Sequence, residues 1–167
     1  MKSTDKWITH EYKTAWSGRN RKIAKLLHNS RFRGSILDLG CGDKDVLRYL
    51  RPKQQPTEYL GLDRVPPADI IIDFNTQTYA PPKVYDLGLV LGVLEYLEDP
   101  WNFLEHYKQY ANRWIILTSY SQRKPNKGLK VTWKQRILPM EDTENFQKVF
   151  KNVSQTINKS SIIWSCS

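Results

Sequence analysis

Two glycines two residues apart, Gly40 and Gly42, close an apolar run over residues 35–40 and are flanked by carboxylates at Asp38 and Asp43. Glycines at the mouth of a strand mark backbone that must approach a partner closely or adopt a positive φ. In open α/β sheets, ligands bind beyond the carboxyl ends of the strands. Dinucleotides use such a turn through their pyrophosphate; nucleosides without phosphate use it too. The dinucleotide fingerprint G-x-G-x-x-G needs a third glycine where this chain has Asp45. A pyrophosphate on the following helix would also lie beside Asp43 and Asp45, and unpaired anions at contact distance repel. Acids on both sides of the turn suit a cationic ligand that carries no phosphate.

The elements that must position this turn are legible in the rhythm of the sequence. Segments 35–40, 59–63, 69–73, 85–91 and 113–119 are short and mostly apolar. That is the pattern of strands covered on both faces, as in a parallel sheet. Helices are predicted over 45–51 and 100–112, the second with Asp99 as N-cap, Pro100 at its first position, and Phe103, Leu104, Tyr107 and Ala111 along one side. Before the sheet, 20–29 has Ile23, Leu26 and Leu27 at helical spacing. After a long polar connection over 121–142, the pattern predicts a helix over 143–151, with Phe146, Val149 and Phe150 buried, and strands over 153–158 and 161–166. The expected fold is α/β: an open, mostly parallel, Rossmann-like sheet of about seven strands, helices on both faces, and a C-terminal antiparallel hairpin.

A chain of 167 residues suits one domain. Its expected organisation is a basic leader and helix over 1–34, a ligand-binding core over 35–119, and a basic loop, helix and edge strands over 120–167. No internal repeat interrupts this order.

S-adenosylmethionine is a ligand of the required kind, since its sulfonium and amino group are positive and it has no phosphate. Here the sequence resembles the class I S-adenosylmethionine-dependent methyltransferases, whose first motif, D/E-x-G-x-G-x-G, matches Asp38-Leu39-Gly40-Cys41-Gly42-Asp43 and departs at Lys44, where a third glycine is usual. The likeness continues in register. Asp63 ends "YLGLDRV", twenty-one positions after Gly42, where the family places an acid that holds both ribose hydroxyls. An ionised carboxylate only accepts, which suits two donors. Asp73-Phe74 closes "DIIIDFN", where the family reads the adenine amino group and covers the ring, and "LVLGVLEYLEDPWNFLEH" is similar to its segment after the fourth strand. The resemblance spans residues 24–119 most closely. It implies an S-adenosylmethionine site at Asp38, Gly40, Cys41, Gly42, Asp63, Arg64, Asp73, Phe74 and Gly92, with Cys41 contributing backbone rather than a thiol.

Around that set stand further candidates. Glu95 could lie beneath the sulfonium, and Tyr96 replaces a histidine common in the family. Arg19 or Arg21 could pair with the methionine carboxylate. His10 in the leader has a pKa suited to taking a proton. No catalytic base and no metal ligands are assigned. Two other readings compete: a cofactor-binding but inactive methyltransferase-like partner or regulatory subunit, suggested by Lys44 and Tyr96, and a nicotinamide dehydrogenase, which Asp45 counts against.

Net charge is +9, but the distribution says more than the sum: +7 over 1–34, −4 over 35–119 and +6 over 120–167. An acidic middle suits a cationic donor, and basic ends suit an acidic acceptor: a small molecule, a glycan or RNA. Segment 123–136 sets Trp133 among six basic residues, a composition that can bind a polyanion. The Asn/Asp-Pro-Pro-Tyr signature of nucleic-acid amino methylation is absent after the fourth strand, where Leu91-Gly92-Val93-Leu94 stands. Two cysteines, Cys41 and Cys166, allow neither a disulfide framework nor a repeated zinc spacing. The first residues lack the apolar core of a signal peptide and no run is long enough to span a membrane, so the expected location is cytoplasmic.

Overall fold

The computed structural model describes residues 10–119, 143–158 and 161–167. Seven strands form one sheet: β1 (Ser35–Leu39), β2 (Glu58–Asp63), β3 (Ile70–Ile71), β4 (Leu87–Leu91), β5 (Trp114–Ser119), β6 (Val153–Asn158) and β7 (Ser161–Cys166), in the order β3-β2-β1-β4-β5-β7-β6. The first five run parallel, while β7 pairs antiparallel with both β5 and β6. The chain leaves β3 on one side of β1 and re-enters as β4 on the other. This reversal opens a crevice at the carboxyl ends of β1 and β4.

Burial on both faces explains why these strands are apolar throughout. Along each strand, alternate side chains enter different cores. Ile36, Leu87, Leu89, Leu117 and Ile163 pack with Ile23, Ala24 and Leu27 of α1 (His10–Asn29) and Val46 of α2 (Asp45–Arg48). Leu37, Leu39, Val90, Ile116, Ile162 and Trp164 pack instead with Phe103, Leu104 and Tyr107 of α3 (Pro100–Tyr107) and Phe146 of α4 (Thr143–Val149). Phe146 stacks on Trp164 with ring centroids 4.1 Å apart. Helices therefore cover both faces, as the pattern predicts.

Several bounds differ from expectation, each for a local reason. α1 begins at His10 rather than near residue 20, since Tyr12, Ala15 and Trp16 extend the helical spacing ahead of Ile23. It ends in a Schellman arrangement: Phe32 N–H donates to Leu27 O and Arg31 N–H to His28 O, with Arg31 at φ 52°. α2 stops at Arg48 because Pro52 forces Arg51 into extended backbone (ψ 154°) and opens a 3-10 turn over Pro52–Gln54. α3 gives way to a 3-10 turn over Lys108–Tyr110, held by the indole of Trp114 donating to Lys108 O at 3.1 Å. β3 keeps two residues of the predicted five at the sheet edge, where Ile71 is exposed. Tyr85 joins β4's approach only through an isolated bridge to Ala111. The hairpin matches its predicted bounds. The connection over 121–142, with its basic segment 123–136, lies outside the described residues.

Candidate functional site

The turn after β1 sits at the reversal point. Gly40 (φ 81°) and Gly42 (φ 54°) both adopt backbone that favours glycine. Their surroundings differ. A Cβ on Gly40 would lie 2.1 Å from Cγ2 of Val93, so the turns after β1 and β4 close on each other there; a Cβ on Gly42 would meet nothing within 4 Å. Gly40 therefore serves the packing of two loops, and Gly42 faces open space. The N–H groups of Gly40 and Cys41 donate to Leu62 O of β2 at 2.7 and 3.1 Å, fixing the turn to the sheet. The Cys41 thiol is buried against Gly61, where a Cβ would come within 2.8 Å of Sγ. Burial and the charges of Asp38 and Asp63 push that thiol up, away from thiolate chemistry.

Lys44 stands where a third glycine is usual and still takes the left-handed conformation (φ 57°, ψ 32°). Its ammonium bonds Oδ1 of Asp69, whose Oδ2 accepts from Gly61 N–H at 2.8 Å. Burial resists ionisation of Asp69, but these hydrogen bonds hold its carboxyl below the usual range. The lysine thus keeps the shape of the turn by tethering it to the chain beyond β2. Asp43 and Asp45 share Arg48, each at 3.3 Å.

Two of the acids predicted to serve the ligand, Asp38 and Asp63, converge on this turn. Asp63, half-buried at the end of β2, accepts from Gly42 N–H at 2.9 Å and from Val65 N–H at 3.3 Å. An ionised carboxylate has about four lone-pair sites, so it retains capacity for two further donors. Asp38 is 2% exposed. Its Oδ2 accepts from the Tyr59 hydroxyl at 2.7 Å, and its buried Oδ1 has no hydrogen-bond partner among the described residues. Burial raises the Asp38 carboxyl to about 7; the Tyr59 hydroxyl opposes the rise and the charge of Asp63 adds to it. A buried oxygen left without a donor is costly, and a cationic donor arriving beside it satisfies both hydrogen bond and charge. Tyr59, on Asp38, and Gly61, on Asp69 and against Cys41, are supports of this group that sequence reasoning misses. Their signal is register: Asp38 lies opposite Gly61, with Tyr59 one pleat earlier on the same face.

At the end of β4, Gly92 (φ 72°) makes room for Arg19: a Cβ there would lie 1.9 Å from Nη1. Burial lowers the Arg19 pKa, while Glu95 and Tyr96 support its charge. Glu95 is buried in the 3-10 turn Leu94–Tyr96. Arg19, Gly92 and Glu95 thus form one group beside the glycine turn. Arg21 lies elsewhere, over the ring of Tyr49 at 5.0 Å. His10 starts α1.

Asp73 follows β3 and organises its own loop, accepting from Asn75 N–H at 3.0 Å. Asn75 then ties this loop to the one after β4: its Nδ2 donates to Tyr96 O at 3.2 Å and its Oδ1 accepts from Glu98 N–H at 2.7 Å. The Phe74 ring meets Phe103 and Tyr107 edge-on at 5.0 and 5.8 Å, and borders a cleft of about 180 Å³ between residues 74–78 and α3. Arg64 is exposed directly after Asp63. Among the described residues, no cluster of three or more His, Cys, Asp and Glu could hold a metal ion, and no helix is long and apolar enough to cross a membrane.

A sheet that reverses order at an acid-lined glycine turn, with a second acid ending the neighbouring strand, defines a Rossmann-like protein built for a nucleoside ligand. The methyltransferase-domain family model matches residues 8–155, and the chain belongs to that family: it is a class I S-adenosylmethionine-dependent methyltransferase. Among solved structures, the fold is similar to the plantazolicin methyltransferase BpumL in complex with SAH (TM-score 0.65, 13% identity, 92% of this chain and 84% of that one). It is also similar to a 1,6-didemethyltoxoflavin-N1-methyltransferase from Burkholderia thailandensis (0.62, 15%, 94% and 82%) and a SAM-dependent methyltransferase from Aquifex aeolicus (0.60, 13%, 90% and 97%). No curated protein matches in sequence. The family match removes the dehydrogenase reading, and the Lys44 tether weakens the case for an inactive relative, since the turn keeps its shape without the third glycine.

Proposed function

We propose that this methyltransferase acts on an acidic or polyanionic acceptor, and that Asp38, Gly42, Asp63 and Arg19 hold the donor. The division of charge carries the acceptor reading: −4 over 35–119, where the turn lies, against +7 and +6 over the two ends. Bound S-adenosylmethionine supplies an electrophilic methyl group on a positively charged sulfur. The protein's own share is alignment and exclusion of water, because an in-line transfer gains most from fixed geometry. Asp38 supports the ligand's ammonium through its unpartnered Oδ1, Asp63 accepts the ribose hydroxyls, and Arg19 faces the carboxylate. Cys41 contributes backbone and packing, while Asp73, Phe74 and Arg64 border the base. Fold alone does not select an acceptor, since one scaffold hosts many substrates.

A tritium-methyl transfer assay on fractionated cell extract tests this, comparing the native chain with Asp63→Ala. Label should pass to material retained on an anion exchanger and fall to background with the variant. Transfer to material that passes the exchanger unbound would overturn the acceptor assignment.

A further inference from the structure

The amino-terminal end of the sheet, opposite the glycine turn, carries a groove of about 640 Å³ whose rim includes Arg31, Arg33, Arg51 and Lys53. The four basic groups come from three places: the turn just after α1, the connection to β1, and the 3-10 turn before β2 with its preceding residue. Among the described residues no acid lines the groove, and none of the four makes an ion pair with a described residue. Four basic residues elsewhere are partnered, Lys44 with Asp69, Arg48 with Asp43 and Asp45, Lys83 with Glu58 and Lys108 with Glu105, whereas Lys22, Lys25 and Lys151 make no ion pair with a described residue either; what sets the groove apart is that four such cations line one concavity. Like charges gathered without an acid repel one another, and an anionic occupant reverses that cost.

Arg31 adds a second observation. It holds φ 52° at the position after α1 where glycine is usual, at a cost of about 1 kcal/mol. A cation there gains from the helix dipole, but Lys or Arg within the last turn would gain the same without strain. Arg31 is one of the residues that line the groove.

Small-molecule sites bury their ligand around a few fixed polar groups. Here all four charged residues are exposed. Exposed, unpaired cations along an open groove instead match a polyelectrolyte, recognised through its phosphate backbone. We propose that this groove binds the phosphodiester backbone of a single RNA strand. The site is separate from the donor turn, because the five residues of β1 span roughly 16 Å between the two ends. It does not rest on the acceptor reading.

Fluorescence anisotropy with a short labelled oligouridylate tests it, using the full chain over a range of sodium chloride. Four phosphate contacts predict that log K falls with log salt at a slope of about −3. Arg33→Ala/Arg51→Ala/Lys53→Ala should lower affinity at least about tenfold and flatten the slope by about 2. Lys108→Ala/Lys148→Ala/Lys151→Ala, which removes equal charge elsewhere, should bind like the native chain. S-adenosylhomocysteine affinity and thermal midpoint report that both variants are folded; Arg33→Lys/Arg51→Lys should keep binding. Equal losses in the two triple variants, or no loss in either, would overturn the proposal. So would flotation with phosphatidylserine vesicles that depends on the groove residues while oligouridylate stays unbound.

Discussion

At the carboxyl end of β1, charge is held in fixed places: Asp38 on the Tyr59 hydroxyl, Asp63 on Gly42 N–H, Asp69 on Gly61 N–H and Lys44. At the amino end, Arg31, Arg33, Arg51 and Lys53 stand exposed around a groove with no acid among its described lining residues. Under the two proposals above, the contrast separates two kinds of recognition on one strand. A small cation is met by preorganised acceptors, some of them buried. A long polyanion needs density of charge more than fixed geometry, and its binding weakens with salt.

The largest expected effect belongs to the buried acid. The Asp38 carboxyl titrates near 7 in the folded chain against 3.8 unfolded. Its folded pKa is raised, so its contribution to stability is fully present below about pH 4 and is lost as pH rises through 7. Linkage puts that loss on the order of 4 kcal/mol, which Asp38→Asn should abolish; urea unfolding at stepped pH reads the slope. Affinity for S-adenosylmethionine should run the opposite way in the native chain, rising toward pH 8 as Asp38 ionises. An equally steep stability slope in the variant would break the assignment.

Next comes Gly40→Ala. Overlap with Val93 and a left-handed backbone together should cost roughly 3 kcal/mol of stability. Gly42→Ala, with open space beside it, should cost about 1 kcal/mol in thermal unfolding. Near-equal losses would mean that the two loops do not close on Gly40 as described. Asp63→Ala should weaken S-adenosylhomocysteine by about 2 kcal/mol in calorimetry, through lost hydroxyl acceptors and a loosened Gly42. The smallest effect sharpens the contrast most: the groove triple variant should leave that affinity unchanged within about twofold, since screening separates the two ends.

Much of this was legible from residue order. Apolar runs gave the strands because both faces of the sheet are covered, and the Gly42-to-Asp63 spacing became a direct hydrogen bond. What stayed hidden depends on cross-strand register. Nothing local in "TEYLGLD" says that Tyr59 reaches Asp38 or that Gly61 must yield to Cys41; both follow once β2 lies beside β1 in one register. Arg19 was one of two candidates on the sequence, and only the fit of its guanidinium against Gly92 separates it from Arg21. The basic groove was invisible because its members lie in three segments whose turns, not their composition, bring them together. The −4 sum over the middle even obscured it, since Arg51 and Lys53 fall inside that acidic stretch.

Asn75 works as a rivet between two loops that the sheet's reversal leaves adjacent, gripping Tyr96 O with one side of its amide and Glu98 N–H with the other. Levering either loop outward drags its neighbour, so neither can gape independently to admit a guest. Deuterium uptake at the Glu98 amide then becomes a remote gauge of what the Asp73 loop is doing.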